Sequence, residues 1–165
     1  MVSNQLQLET FIAFKKATKG LTVSGEKWLR VTLGPFLEWL PLSLSEATKQ
    51  HIIQFLAKYE DKPWRRHSFY RAFKTFWKWL AEEYQLENLM KGIPAPKTPD
   101  VVLHTTIPAD VDQLIQEANT FRDKAIIALL ADSGARRSEL ASIETENLDL
   151  QNYRIKVVGK ANKEG

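Results

Sequence analysis

Three cationic side chains and a histidine line up along the stretch 63–84: His67, Arg71, Lys74 and Lys78 stand at i, i+4, i+7 and i+11. At about 100° per residue they share one face of a helix, and Arg65 and Arg66 stand at its start. Such a row can track the phosphates of a nucleic acid by charge alone. No acid stands on that face from His67 to Lys78, whereas an ordinary solvated face mixes signs for i,i+4 pairing. Taken alone, a solvated amphipathic helix remains the plain alternative. Phe69, Phe73, Phe76, Trp77 and Leu80 share the opposite face. They read as core rather than as base-stacking platforms, and so does Trp79. Other chemistries are closed off. There is no cysteine, hence no disulfide scaffold, Cys-ligated zinc, iron–sulfur cluster or thiol nucleophile. His51, His67 and His104 are too far apart in sequence to suggest a His-only metal site.

The formal net charge of +3 hides a split. Residues 1–98 carry 15 Lys/Arg against 9 Asp/Glu, and residues 99–165 carry 8 against 11. The basic half suggests a polyanionic partner. A chain of 165 residues makes one ordinary domain or two small ones. No apolar run approaches the roughly 18 residues of a membrane span. The start, MVSNQLQLETF, has neither a basic nor an apolar signal region. A cytoplasmic protein is expected.

The elements that must carry these residues are mostly helical. Residues 4–18 place Leu6, Phe11, Phe14 and Ala17 on roughly one face. Residues 24–40 form a second helix with the stripe Trp28, Leu29, Leu33, Phe36, Leu37 and Leu40, which Gly34-Pro35 should kink or split. A third helix starts at Ser45, capped by Ser43 or Ser45, with Ile52, Phe55 and Leu56 inward. The fourth is 63–84. Gly92 to Pro99, with three prolines, is a helix-free linker. Beyond it, Thr106 caps a helix to about Asn119, with Pro108 in its first turn. An apolar, buried helix then covers 121–133 and ends at Gly134. A short helix spans 136–142, residues 147–152 turn, and 153–158 read as a strand before a hairpin turn at 159–163. The partner strand of that hairpin has no room before Gly165, which suggests a fragment or a truncated product.

Three stretches carry a family resemblance: Asp132-Ser133-Gly134-Ala135-Arg136-Arg137-Ser138-Glu139-Leu140, then Asn147-Leu148-Asp149-Leu150, then Val157-Val158-Gly159-Lys160-Ala161-Asn162-Lys163-Glu164. Together they resemble the tyrosine recombinase (phage integrase) family, whose first catalytic block reads roughly T-G-x-R-x-S-E-L and whose β-hairpin reads V-x-G-K-G-x-K-x-R. The 24 residues from Arg136 to Lys160 agree with that spacing. Arg122-Asp123-Lys124-Ala125 is similar to the family's R-D-x-A element, and Phe36 to Leu40 and Phe76 to Leu80 to elements of its core-binding domain. The resemblance implies a mainly α chain. Residues 1–92 would be a four-helix SAM-like core-binding bundle, 93–104 a linker, and 105–165 the beginning of an α+β catalytic domain.

The resemblance also implies chemistry. In the family a Tyr attacks a DNA phosphodiester and forms a 3′-phosphotyrosyl link, without metal or external cofactor. Arg136 matches the arginine that binds the non-bridging oxygens, Lys160 the lysine that protonates the leaving 5′-oxygen, and Glu139 an acid that supports the site. Arg65, Arg66, His67, Arg71, Lys74 and Lys78 would meet DNA. Ser133 and Ala161 depart tolerably from the motifs, and Gly34-Pro35 replaces an often basic pair. Arg137 stands at a variable position. The family's His-x-x-Arg block and nucleophilic Tyr have no match here, and Tyr153 reads as a packed strand aromatic. The expectation is thus a DNA-binding part of a recombinase that does not itself cleave DNA. It would bind double-stranded DNA, with self-association there open, and no membrane or small-molecule partner. In the cell it would sit on the nucleoid when bound. A non-catalytic DNA-binding regulator or interaction module derived from an integrase is the alternative. An all-helical scaffold without a nucleic-acid partner is the third.

Overall fold

The computed structural model describes residues 3–102 and 105–157. The chain divides into two compact units, Met1–Val101 and Val102–Gly165. The first holds α1 (Asn4–Lys19), α2 (Val23–Trp39), α3 (Lys49–Ala57) and α4 (Pro63–Tyr84). The second holds α5 (Pro108–Glu117), α6 (Phe121–Ser133), α7 (Arg137–Ala141), a 3-10 turn at Thr145–Asn147, and strands β1 (Leu148–Asp149) and β2 (Arg154–Ile155). No helix among the described residues is long and apolar enough to cross a membrane.

In the first unit α4 is the central element. Its boundaries match the sequence reading, with Pro63 at the first turn, where a missing N–H costs nothing. It buries Phe69, Phe73, Phe76, Trp77, Trp79 and Leu80. The ring of Phe36 on α2 lies 4.8 Å from Phe73 and 5.3 Å from Phe55 on α3. Phe11 of α1 meets Phe76 edge-on at 5.2 Å. Aromatic pairs at these separations add to the area they remove from water.

Several boundaries and faces differ from expectation, each for a local reason. On α1 the buried apolar residues are Leu8, Phe11 and Ile12, whereas Leu6, Phe14 and Ala17 are exposed. The 8/11/12 spacing is the tighter i, i+3, i+4 set, and it is the one that reaches the core. The helix is capped by Ser3, whose hydroxyl accepts from the Leu6 N–H at 3.1 Å. Asn4 then clasps the α2–α3 connection, donating to the Leu42 carbonyl and accepting from the Leu44 N–H. Helix α2 is not split at Gly34-Pro35; it runs through Pro35 to Trp39. Leu33 and Phe36 flank the proline and are fully buried, so packing on both sides outweighs the lost backbone bond. Helix α3 starts at Lys49, four residues later than expected. Ser43 and Glu46 close a separate turn, and Thr48 is the cap residue, its N–H donating to His51 Nδ1 at 3.0 Å.

The segment after α4 is free of helix as expected, yet its beginning is held. Gln85 ends α4 in the left-handed region. The Tyr70 hydroxyl donates to the Ile93 carbonyl at 3.0 Å, and Ile93 packs on the core.

The second unit departs further. Helix α5 is capped by Ile107 rather than Thr106, with Pro108 opening it, and it ends at Glu117. Helix α6 has the expected span, with Gly134 left-handed at its end and Thr120 accepting from the Asp123 N–H. None of its residues is buried, and Phe121 is 93% exposed. Its neighbours α5 and α7 are 10 and 5 residues long, too short to cover so wide an apolar face. The strand is shorter than 153–158 and pairs backward: Leu148 opposes Ile155 and Asp149 opposes Arg154, antiparallel. The residues read as a plain turn thus begin a hairpin of their own. Asp149 accepts from the backbone and side chain of Asn152 to close it. Tyr153 is not a packed strand aromatic. It occupies the left-handed last position of the loop, at φ 54°, and is 95% exposed. The hairpin turn at 159–163 lies outside the described residues.

Two outcomes follow for stability. Phe73→Ala, at a fully buried position, should cost about 3–5 kcal/mol, read from urea denaturation. Arg30 bridges Glu9 of α1 and Glu26 of α2, and Lys16 also meets Glu26. Hydrogen bonds from Arg30 hold Glu9 below the usual carboxylate range, and those from Lys16 and Arg30 do the same for Glu26. Their stabilisation is complete above the unfolded carboxyl pKa and is lost as pH falls through the lowered folded value. Melting curves between about pH 6 and pH 2 should therefore show a smaller acid-induced drop in Tm for Arg30→Met than for the unsubstituted chain.

Candidate nucleic-acid interface and phosphate-binding arginine

Helix α4 separates its charges from its aromatics as the spacing requires, but the six basic residues do not act as one row. Arg71, Lys74 and Lys78 are exposed, and His67 is half-buried on the same face. Among the described residues no ion pair occupies His67, Arg71 or Lys74. Lys78 reaches Glu82 at 3.8 Å, one turn beyond the row. Both partners are well exposed, so that pair is weak and screened by salt.

Arg65 and Arg66 point elsewhere. Arg65 is two residues before His67, roughly 200° around the helix. Its guanidinium lies over the rings of Tyr59 and Phe69, at 5.2 and 5.6 Å. Arg66 is roughly 100° off the row and is half-buried. It lines a cleft of about 650 Å³ whose walls include Ile53, Leu56, Ile93 and Pro96, and its Nε is buried without a hydrogen-bond partner. The sequence set these two at the helix start rather than on the row, and the helical turn keeps them off it.

Two residues absent from the sequence reading of the charged face touch it. Trp28 on α2 donates from Nε1 to the Ser68 hydroxyl on α4 at 3.0 Å, and the Arg71 guanidinium lies 5.8 Å from the Trp28 ring centroid. The hydrogen-bonded pair is 40 residues apart in sequence, so no local spacing could have announced it.

In the second unit Arg136 and Glu139 come together at the start of α7. Arg136 is the residue before the helix, and its N–H donates to Glu139 Oε2 at 2.8 Å. Its Nη1 donates to Oε1 of the same carboxylate at 2.7 Å. One carboxylate thus satisfies an otherwise orphaned backbone donor and fixes the guanidinium. The Glu139 side chain is only 12% exposed, whereas that of Arg136 is 76% exposed. The acid is set into the protein and the cation projects from it, with N–H donors left for an anion. Both bonds favour the ionised carboxylate and hold Glu139 below its ordinary pKa, the backbone bond most strongly. Arg137 is exposed. Lys160, the other cation expected here, lies outside the described residues. Among the described residues no cluster of acids and histidines could hold a metal.

Comparison with known proteins gives these features a context. Residues 105–165 match the model of the phage integrase family. Tyrosine recombinase XerC of Herpetosiphon aurantiacus is 28% identical over 97% of this chain and 57% of its own length. Tyrosine recombinase XerD of Haemophilus influenzae is 27% identical over 99% of this chain and 59% of its own. The chain therefore spans somewhat over half of these relatives. Among solved structures, a lambda integrase tetramer bound to a Holliday junction superposes with a TM-score of 0.80, at 16% identity, over 100% of this chain and 50% of that one. The fold is the one seen there.

The Arg136–Glu139 contact is open to direct measurement. In a carboxyl-detected NMR titration, Glu139 should ionise below the ordinary glutamate range, and Arg136→Ala should raise its pKa. An unchanged value in that variant would mean the two side chains do not pair in solution.

Proposed function

Because residues 105–165 match the phage integrase family model and the chain is similar to the XerC and XerD tyrosine recombinases, we propose that it belongs to that family, binds duplex DNA and forms part of an enzyme that breaks and rejoins DNA strands. Residues 1–92 grip the duplex, 93–104 connect, and 105–165 contribute to the catalytic domain. The observation that carries this reading is the cationic face of α4, where His67, Arg71 and Lys74 have no acidic partner among the described residues. Charges left unpaired beside a well-packed core are available to displace the counterions of a phosphate backbone.

Arg136 takes the role of the arginine that binds the non-bridging oxygens during phosphoryl transfer. Charge builds on those oxygens in the transition state, and a planar guanidinium can meet two of them at once. Donors held in place beforehand need no reorganisation as that charge develops. The bonds from Arg136 to Glu139 support such preorganisation. Lys160 acts as the general acid that protonates the leaving 5′-oxygen. Neither role calls for a metal. In this reading none of Tyr59, Tyr70, Tyr84 and Tyr153 takes the role of the family's nucleophilic tyrosine. Copies of the chain associate on DNA, a reading supported by the tetrameric, junction-bound lambda integrase.

Fluorescence anisotropy with a duplex of about 30 base pairs tests the DNA reading. Log affinity should fall linearly with log salt, at about −0.9 per phosphate neutralised. Arg71→Glu with Lys74→Glu and Lys78→Glu should abolish binding at about 100 mM salt, while Arg66→Met should change the salt slope less than Arg71→Met does. Salt-independent binding, or full binding by the triple variant, would sink the proposal.

A further inference from the structure

We propose that Trp28 and Ser68 form a seat that sets the Arg71 guanidinium in place for a DNA phosphate, which makes Trp28 a positioning residue of the interface. The inference rests on the DNA-binding reading of α4 and goes beyond it, because Trp28 belongs to another helix and carries no charge.

The three exposed cations of the row differ in what restrains them. Lys74 has no ion pair among the described residues, and Lys78 meets only a solvated glutamate. Arg71 lies over an aromatic ring, at 5.8 Å from its centroid. A cation over a tryptophan face is drawn to the ring's negative quadrupole. The contact uses none of the guanidinium N–H donors, so all remain for phosphate oxygens. A flexible arginine must give up its rotamer freedom on binding, whereas one already seated gives up less.

The seat itself is fixed. Trp28 is half-buried and packs against the core. Its indole N–H is held by the Ser68 hydroxyl at 3.0 Å, and Ser68 stands on α4 three residues before Arg71. The bond at Trp28 is therefore a specific tie between α2 and α4. It anchors the ring under the residue that the row presents to the backbone of DNA.

The full chain is used for the test, with the same duplex and salt series, and melting temperatures recorded for each variant. Trp28→Leu should weaken binding about two- to fivefold while leaving the salt slope unchanged, since the same phosphates are met. Arg71→Ala should lower the slope by about 0.9. Trp28→Leu should add nothing in the Arg71→Ala background, because the seat then has no occupant. Trp28→Phe keeps a ring but loses the bond to Ser68; it and Ser68→Ala should show matching, intermediate losses. A Trp28→Leu effect of equal size with or without Arg71 would mark a structural role and overturn the inference. So would unchanged affinity in Trp28→Leu beside a clear loss in Arg71→Ala. If the unsubstituted chain does not bind the duplex, the DNA reading fails and this inference fails with it; the other two results overturn the seat alone.

Discussion

One helix cannot hide both of its sides. Helix α4 carries Phe69, Phe73, Phe76, Trp77 and Leu80 on one side and His67, Arg71, Lys74 and Lys78 on the other. Burying the first set commits the second to water. The arrangement of the first unit follows from this: α1, α2 and α3 each spend their apolar stripes on the aromatic side. What is left outward is a basic row whose spacing is dictated by the packing beneath it. The row is thus a by-product of the core's geometry, and the backbone that carries it shares the core's rigidity.

The second unit organises its charge differently. Among the described residues no large core lies behind Arg136; no residue of α5, α6 or α7 is buried. Position is secured by hydrogen bonds instead. Glu139 grips the arginine through both backbone and side chain, so the helix start and the guanidinium cannot be oriented separately. Where packing is thin, one well-placed carboxylate holds both the backbone and the side chain of Arg136.

How much of this was legible depended on the range of the interaction responsible. The spans of α4 and α6 were readable because proline, glycine and the apolar period mark them within a few residues. Arg136 and Glu139 were singled out by the resemblance, and their three-residue spacing allows the contact that the structure shows. Long-range effects were not. Packing of Leu33 and Phe36 carried α2 through Pro35 against its local preference. Thr48 outcompeted Ser43 and Ser45 as the α3 cap because Ser43 was already engaged with Glu46. Leu148 and Asp149 looked like turn residues until Arg154 and Ile155 gave them partners. Arg65 and Arg66 were assigned by adjacency, although the helical angle alone already set them apart from His67.

The bond from Tyr70 to the Ile93 carbonyl has a consequence for where the first unit stops. Helix α4 ends at Tyr84, yet the chain is still held at Ile93, and Pro96 lines the same cleft as Ile53 and Leu56. The packed body therefore outlasts its last helix by several residues, and proline-containing backbone with no helix of its own becomes part of its wall. Because the anchoring hydroxyl belongs to α4, that wall is referenced to the same helix that carries Arg71, Lys74 and Lys78.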